Sequence, residues 1–485
     1  MRVMSVSKNF AMAMALVVAN LPQCSSISLD TAVRLLLPDF TLREKDWNDG
    51  GSEMTLRMLA SHTAGFTRES YSTSLNVILN TGKADLDTVG AGWADASAED
   101  VIEAAAREPL MFPPGQRAGY SNIGISLLGS AVATYYNNVT GSDLSWSQLV
   151  ARQLLGPLNM THSFFNTVPQ DLEPFISIPG GDNWADLLIG EGYNPAAGMW
   201  SSANDLAKYL YGFWLSPTPD LITAYQRRDA LKPVAILPDG IQQTGPGWEI
   251  QLLELNSSAN ASLDSTKTYS AFGKSGNGGR WSSWIDVIPN LGYGIVVLAQ
   301  QSGLEGYAGI VPVSIRDLVH GILAPAFADA AANRMAERFG GMYTAGEDTG
   351  LLTDVAATSA TTNTTFARIE LEDHILYLRE LVVNGSSALE ALDRLSWVGD
   401  TGPIYFSTER GVMLEPAEGV AENAEFGEGA QVWRLTYPDL ATCDWFDYDG
   451  YKDTRGWPLS KVVLIEEKDG VELRYPPFDI VVKRT

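Results

Sequence analysis

The sequence predicts a mixed α/β domain followed by a β-rich domain, and three features of the chain support that fold class. Residues 5–20 lack Gly and Pro and are apolar on nearly all sides, which is typical of a buried helix. Residues 281–300 form two strand-like runs around a PNLG turn, which indicates an antiparallel hairpin. Residues 340–485 are short alternating segments separated by turns. We therefore expect a domain boundary near residue 330, with the α/β domain over residues 1–330.

The remaining predicted elements follow in chain order. The segment 54–64 predicts a short helix, and the segment 121–136 predicts a longer helix that is apolar on most faces. A capping pattern opens the segment 202–214 and predicts the start of another helix there. A helix is also expected at 312–324, after the hairpin. In the β-rich domain, the Asp-Gly pair at 469–470 lies between two alternating runs and predicts a second hairpin.

The composition excludes several classes of protein. With 485 residues, of which 45% are hydrophobic and 19% are charged, the chain is neither disordered nor collagen-like. Its formal net charge of −25 would repel a phosphate backbone, so we expect no nucleic-acid partner. No segment of the sequence is long and apolar enough to be a membrane span.

The cysteines and histidines exclude a disulfide framework and a histidine-rich metal centre. Cys24 and Cys443 are the two cysteines, and they can form one bridge or none. The histidines show no H-E-x-x-H or H-x-H spacing, so we expect neither a metal nor a cofactor. The histidines are His62, His162, His320 and His374.

The first residues allow two interpretations. Arg2 and Lys8 precede the apolar run 10–19, which has the length of the hydrophobic region of a secretory signal peptide. The same residues could instead form a buried helix of the folded domain. Separately, N-x-[ST] triplets are more frequent than chance predicts, which favours a glycosylated protein of the secretory pathway. These triplets begin at Asn138, Asn159, Asn256, Asn260, Asn363 and Asn384.

The first candidate catalytic motif is S-x-x-K, formed by Ser5 and Lys8. Residues three apart share a face of a helix, so the Lys8 amine can approach the Ser5 hydroxyl. A serine hydroxyl is a poor nucleophile until a base accepts its proton. A lysine can be that base only when burial or a nearby cation lowers its pKa. The apolar run after Lys8 supplies a buried setting, and an exposed lysine at a helix start is the alternative interpretation.

The second motif is Tyr120-Ser121-Asn122, at the start of the long predicted helix. A loop-to-helix junction can present side chains to a cleft, where Tyr120 could relay a proton and Asn122 could hold a substrate amide. The alternative is that Ser121 or Asn122 is only the helix N-cap. His62 could pair with a serine, but a buried, hydrogen-bonded structural histidine is the favoured interpretation.

The third motif is Lys274-Ser275-Gly276, immediately before the predicted hairpin. Lys274 could lower the pKa of a neighbouring base and attract an anionic substrate. Gly276 would let a ligand approach the strand backbone, so the amide of Asn277 could act as an oxyanion donor. The alternative is that the GNGG segment at this point is simply a turn.

The order of these motifs, S-x-x-K, then Y-x-N, then K-[ST]-G, resembles the serine β-lactamase and penicillin-binding-protein superfamily. The chain is most similar to its class C β-lactamase-related branch, which includes esterases, transesterases and D-amino-acid peptidases. The resemblance covers about residues 3–325 and implies an all-helical subdomain packed on an antiparallel-sheet subdomain, with the site between them. The β-rich C-terminal region lies outside the core family domain. Supporting stretches are SVSKNF, LASHTAGF, PGQRAGYSN, GPLNMT and AGMWSSANDL.

The resemblance also implies a role for each matching residue. Ser5 would be the nucleophile that becomes acylated, and Lys8 and Tyr120 would share the proton transfer. Many relatives have His at the position of Lys274, so the lysine here leaves an anionic substrate possible. The implied substrate-binding residues are Asn122, Lys274 and Ser275, and the implied oxyanion hole consists of the backbone amides of Ser5 and Asn277.

The start of the chain departs from the family pattern. In this family a segment that contributes a helix and sheet strands precedes the S-x-x-K helix, whereas Met1 lies only four residues before Ser5. We therefore expect either an upstream segment, which would contain any true signal peptide, or a truncated relative. The match from Ser5 to Phe10 favours the buried catalytic helix over the signal peptide.

The predicted function is that of a serine hydrolase or acyltransferase without metal or cofactor. It would form an acyl-enzyme on Ser5 from a small-molecule ester, amide or lactam. One alternative is a biosynthetic transesterase of secondary metabolism that acts on a natural product. The other alternative is a catalytically inactive β-lactamase-like binding protein.

Overall fold

The computed structural model describes eleven stretches of the chain, which belong to two compact units. The first unit contains Met1–Asn256 and Thr266–Ala324, and the second contains Pro325–Thr485. The described residues are 1–43, 53–69, 93–94, 96–181, 184–255, 267–301, 312–345, 364–395, 411–417, 419–436 and 451–485.

The helical part of the first unit contains a long and mostly buried helix, α1 (Ser7–Asn20), which follows a 3₁₀ turn at Met4–Val6. All of its residues from Ser7 to Val18 are buried, as its apolar sequence predicts. The other α-helices are α2 (Val33–Leu36), α3 (Leu56–Ala60), α4 (Ala98–Arg107), α5 (Asn122–Thr140), α6 (Trp146–Val150), α7 (Asn194–Ala197), α8 (Ala203–Tyr209), α9 (Ala224–Ala230) and α10 (Pro312–Phe339), of which the residues from Pro325 onward belong to the second unit. Helix α1 packs against α5 and α7, which form the centre of the helical layer.

The predicted helices are present, but their ends differ. The helix predicted at 5–20 begins at Ser7, so Ser5 lies in the preceding 3₁₀ turn. The helix predicted at 121–136 is confirmed as α5, and the Ser121 hydroxyl caps it by accepting a hydrogen bond from the Gly124 amide. Helix α8 begins after the predicted cap, Ser202, and continues as a π-helical turn to Leu215.

Two other helix predictions need larger corrections. The helix predicted at 54–64 is only the five residues of α3, because the chain turns at Ser61–His62, where His62 has a positive φ. The helix predicted at 312–324 continues to Phe339 as α10, with Pro325 inside it. The sequence pattern underestimates α10 because its alanine-rich second half carries little apolar periodicity.

The sheet of the first unit is six-stranded, entirely antiparallel, and ordered as in the sequence. Its last two strands are the predicted hairpin, confirmed by the pairing of Ile288 with Tyr293. The strands are β1 (Ala235–Ile236), β2 (Gln243–Gly245), β3 (Trp248–Leu255), β4 (Lys267–Gly278), β5 (Trp281–Ile288) and β6 (Tyr293–Gln300).

The K-[ST]-G motif lies directly before the hairpin, as the sequence predicts, and is itself part of strand β4. The alternative that GNGG is simply a turn is wrong, because β4 pairs with β5 as far as Gly278 opposite Trp281. The turn is limited to Gly279 and Arg280, which both have positive φ values. Lys274 therefore occupies a rigid strand position.

A buried polar network anchors β4 and β5 to α10. The Asp286 carboxylate accepts hydrogen bonds from Arg316 Nε at 2.5 Å and His320 Nε2 at 2.7 Å. Trp284 Nε1 donates to the same carboxylate at 2.8 Å. Only glycine fits at position 273, since a Cβ there would lie 2.0 Å from Asp286 Oδ1. This network fixes the residue that precedes Lys274.

The second unit contains a closed antiparallel barrel. Its ring consists of eight strands, which pair in the order β9, β11, β12, β13, β14, β15, β7 and β8. The ring is closed because β8 also pairs with β9. The strands are β7 (Gly341–Thr344), β8 (Phe366–Glu372), β9 (Ile375–Val383), β10 (Ser386–Ser387), β11 (Val412–Pro416), β12 (Ala430–Thr436), β13 (Lys461–Glu467), β14 (Gly470–Tyr475) and β15 (Ile480–Arg484), with helices α11 (Ala388–Leu395) and α12 (Val420–Ala424).

The barrel explains the alternating sequence of the second unit. One face of each strand fills a core that includes Trp433, Leu473 and Tyr475, all fully buried. The Asp-Gly hairpin is confirmed by the pairing of Glu467 with Gly470. The predicted fold class, a helical and antiparallel-sheet domain plus a β-rich domain, is therefore correct. The strand-like segment at 402–409 lies outside the described residues.

Several surface predictions concern the N-x-[ST] triplets and the cysteines. Asn138, Asn159 and Asn384 are exposed. Glycosylation and secretion stay predictions.

Cys24 is buried and is a free thiol within the described part of the chain. Asn256, Asn260, Asn363 and Cys443 lie outside the described residues. No described helix is long and apolar enough to cross a membrane.

Candidate active site

Ser5 and Lys8 meet at the start of α1. The Lys8 ammonium donates hydrogen bonds to Ser5 Oγ at 2.9 Å and to the Ala196 carbonyl at 2.8 Å. The 3₁₀ turn that carries Ser5 is tied to the helical layer, because the Val3 amide donates to the Met199 carbonyl at 3.0 Å. Ser5 is half-buried and Lys8 is fully buried. The proximity predicted from the S-x-x-K spacing is present, and the Ala196 carbonyl, directly before the AGMW segment, holds the lysine.

Tyr120 approaches the same hydroxyl from the loop before α5. Its phenol donates to Ser5 Oγ at 2.7 Å, although the two residues are 115 positions apart in the chain. The Lys8 nitrogen lies 4.9 Å from the centroid of the Tyr120 ring. Ser5 Oγ therefore has two possible proton acceptors within hydrogen-bonding distance.

The electrostatics of this cluster lower the pKa of Lys8 and the pKa of Tyr120. Burial is the largest cause that lowers the pKa of Lys8, and the charge of Lys274 lowers it further. Burial alone would raise the pKa of Tyr120, but the positive charges of Lys274 and Lys8 outweigh it and lower that pKa. Each group therefore loses its proton at a lower pH than the same side chain in water, which makes it more available as a proton acceptor.

Lys274 reaches the cluster from strand β4. Its nitrogen lies 5.3 Å from the Tyr120 ring centroid, contacts Glu249 Oε1, and donates to the Ser275 carbonyl at 2.8 Å. Burial would lower the pKa of Lys274, but the adjacent Glu249 outweighs it and raises that pKa. Lys274 is therefore a fixed positive charge beside the phenol.

Asn122 lies beside this cluster, as the Y-x-N spacing predicts. Its side-chain amide contacts Glu69 Oε1, and the other Glu69 oxygen accepts a hydrogen bond from Trp93 Nε1 at 3.0 Å. Burial raises the pKa of Glu69 more than these hydrogen bonds lower it. Trp93 packs edge-on against Trp184, with ring centroids 5.8 Å apart. One wall of the site is thus aromatic.

Strand β4 passes directly beside the Ser5 backbone. A Cβ at Gly276 would lie 2.2 Å from the Val3 carbonyl and 3.0 Å from the Ser5 amide nitrogen, so only glycine fits. Asn277, the next residue, is exposed and accepts a hydrogen bond from Ser282. Met4 has a positive φ of 48°, a conformation that costs about 1 kcal/mol for such a residue and turns the chain just before Ser5.

His62 is a neutral histidine packed against Tyr120. Its ring centroid lies 4.5 Å from that of Tyr120, and its Nδ1 accepts a hydrogen bond from the Ser121 amide at 3.2 Å. Burial, followed by the charges of Lys8 and Lys274, lowers the pKa of His62 well below its usual value. His62 is hydrogen-bonded, as the favoured interpretation predicts, and it is half-buried.

The structure thus brings together Ser5, Lys8, Tyr120 and Lys274, with Asn122 beside them. Sequence reasoning missed Glu69, Trp93, Trp184 and Glu249. Nothing in their spacing ties them to the motifs, because they contact the site only through tertiary packing or strand register. Among the described residues no group of three or more His, Cys, Asp or Glu side chains could hold a metal ion.

The fold and this cluster define a beta-lactamase-like protein. Residues 1–319, more than half of the chain, match the family model described as "Beta-lactamase". The chain therefore belongs to the beta-lactamase family. This family includes hydrolases.

Two curated proteins and one solved structure are examples of what this chain is similar to. "Beta-lactamase-like protein 2" of Dictyostelium discoideum is 28% identical over 53% of this chain and 43% of its own length. "Probable hydrolase M10" of a Phoma species is 24% identical over 73% of this chain and 54% of its own length. The chain thus spans about half the length of these curated relatives. A solved beta-lactamase/D-alanine carboxypeptidase from Yersinia pestis is 17% identical, covers 66% of this chain and 83% of its own, and has a TM-score of 0.47.

Proposed function

We propose that the protein is a serine hydrolase or acyltransferase that forms an acyl-enzyme on Ser5. The observation that carries the proposal is the pair of contacts to Ser5 Oγ, from Lys8 at 2.9 Å and Tyr120 at 2.7 Å. Lys8 is buried and Tyr120 is half-buried, and both lie beside the fixed positive charge of Lys274, which lowers their pKa values. A serine next to such a base is an activated nucleophile.

The acylation step follows from these contacts. Lys8 or Tyr120 in its deprotonated form accepts the proton of Ser5 while Ser5 Oγ forms a bond to the carbonyl carbon of the substrate. The bond from that carbon to the leaving alcohol, amine or lactam nitrogen breaks, and the leaving group receives the proton. Backbone amides of Ser5 and Asn277 are the proposed donors to the oxyanion, since strand β4 passes beside Ser5 at Gly276.

Deacylation repeats the chemistry with a different nucleophile. Water as the acceptor gives a hydrolase, and a small alcohol or amine gives an acyltransferase. A biosynthetic transesterase would use this second route. An inactive binding protein would have no need for a buried lysine that, within the described residues, donates to a serine and forms no salt bridge with a carboxylate, which is why the intact cluster favours the enzymatic proposal.

Active-site labelling tests the proposal. We expect a serine-reactive acylating probe to add one acyl group to the wild-type protein, detectable as a mass increase of the intact chain, and Ser5→Ala to abolish that increase. Ser25→Ala is the matched control, because Ser25 is exposed and its hydroxyl only donates to the Pro22 carbonyl. Undiminished labelling of Ser5→Ala would refute the assignment of the nucleophile.

A further inference from the structure

One contact in the site has no part in the acyl transfer: the pairing of Lys274 with Glu249. The two residues are neighbours because Glu249 on β3 lies opposite Gly273 on β4. The Lys274 ammonium contacts Glu249 Oε1 and donates to the Ser275 carbonyl, and Tyr120 is the third polar group beside it. An ammonium group has three hydrogens to donate, so these partners occupy it.

Ser275 is directed to the same carboxylate. Its backbone amide donates to Glu249 Oε2 at 3.1 Å, and its hydroxyl also stabilises the charge of Glu249. Glu249 is therefore bound by a lysine ammonium, a serine amide and a serine hydroxyl. These groups are the ones that would otherwise bind the carboxylate of a substrate at this edge of the site.

Exposure decides which charge a substrate meets. The side chain of Lys274 is 2% exposed, whereas that of Glu249 is 35% exposed. The exposed part of this ion pair thus belongs to Glu249, whose charge repels a carboxylate that comes within short range. Among the described residues, Arg68 is an exposed cation beside the same phenol. Its side chain is 68% exposed, lies 3.9 Å from Glu69, and places its guanidinium carbon 4.8 Å from the Tyr120 ring centroid. Its charge is screened by solvent and by that glutamate.

We propose, on the basis of the acyl-enzyme function above, that Glu249 is a specificity-determining residue that selects neutral acyl substrates. Uncharged esters and amides acylate Ser5, whereas substrates with a carboxylate close to the reacting carbonyl are excluded by Glu249. Lys274 accordingly serves the Ser5–Lys8–Tyr120 cluster as a fixed charge, and does not attract an anionic substrate as the sequence motif predicts.

The test compares two esters that differ only in charge. p-Nitrophenyl butyrate is neutral, and mono-p-nitrophenyl succinate has the same leaving group and chain length but ends in a carboxylate. We expect the wild-type protein to prefer the butyrate by at least about tenfold in kcat/KM, after subtraction of the rate with Ser5→Ala. We expect Glu249→Gln to reduce that preference about tenfold by accelerating the reaction of the succinate.

Two further variants separate charge from structure. Glu249→Asp keeps the carboxylate and should keep the preference for the neutral ester. Glu254→Gln removes the same charge from an exposed position of strand β3 and should leave the preference unchanged. Equal rates of the wild-type protein with both esters, or an unchanged ratio in a folded Glu249→Gln, would overturn the inference while the proposed function stands. Absence of any Ser5-dependent reaction with either ester would overturn the proposed function itself, and the inference with it.

Discussion

Lys8 and Lys274 lie against the same tyrosine, with nitrogens 4.9 Å and 5.3 Å from the Tyr120 ring centroid, and both are buried. Their pKa values nevertheless move in opposite directions, since burial lowers the pKa of Lys8 whereas Glu249 outweighs burial and raises the pKa of Lys274. The carboxylate on β3 thus separates a lysine that can accept a proton from a lysine that keeps its charge.

The second unit shows what a structural lysine looks like. Lys461 in the barrel is 7% exposed and is paired with Glu422 at 2.7 Å. Lys274 follows this rule, and Lys8 departs from it, because no carboxylate in the described part of the chain forms a salt bridge with Lys8. Removing an opposite charge from a buried ion is costly, so a buried lysine without one indicates a function that needs its neutral form.

Exchanging each lysine for arginine is the strongest test of that contrast. Arginine keeps the positive charge but cannot lose a proton in a protein. We expect Lys8→Arg to lower the acylation rate about 10³-fold, since it removes a general base. Lys274→Arg should lower the rate by less than about tenfold, because the charge is retained.

Rates of single-turnover acylation, measured with a neutral ester, would distinguish the two lysines. Lys208→Arg is the control, because Lys208 is partly exposed and pairs with Asp205. Equal losses at positions 8 and 274 would contradict the division of roles.

A second test separates the position of strand β4 from the charge that it carries. Gly276→Ala places a Cβ 2.2 Å from the Val3 carbonyl and should lower the free energy of unfolding by about 1–3 kcal/mol. Gly321→Ala is the control, since no atom lies within 4 Å of a Cβ at that helical position. We expect it to raise stability by up to about 1 kcal/mol.

Thermal melting of both glycine variants measures the difference. If Gly276→Ala melted at the wild-type temperature, the close approach of β4 to the Ser5 backbone would be wrong. The proposed oxyanion site would then lose its structural support.

The third test concerns pH. The charge of Lys274 lowers the pKa of both Lys8 and Tyr120, so its removal raises both. A base acts only above its pKa, and therefore the ascending limb of kcat/KM against pH should move to higher pH in Lys274→Met. The apparent pKa that this limb reports belongs to the coupled pair of Lys8 and Tyr120 and not to either residue alone. Lys232→Met, at an exposed position, should leave the limb in place. A limb that moved to lower pH would contradict the electrostatic role of Lys274.

Much of the fold could be predicted because it is encoded locally. The apolar run of α1, the hydroxyl cap of α5 and the two hairpins each follow from residues within a few positions of one another. The length of α10 and the extent of β4 could not be predicted in this way. The alanine-rich half of α10 has no strong periodicity, and β4 continues through glycines that usually end a strand.

By itself the sequence determined which chemical groups are available and in what order: a serine and a lysine one turn apart, a tyrosine before a helix, and a lysine before Ser275. Only the tertiary structure decided the protonation of these groups, because a pKa depends on burial and on charges brought near from distant positions. Glu249 is the clearest case. Its effect on Lys274 arises from the register of β3 against β4, which no local pattern of residues encodes.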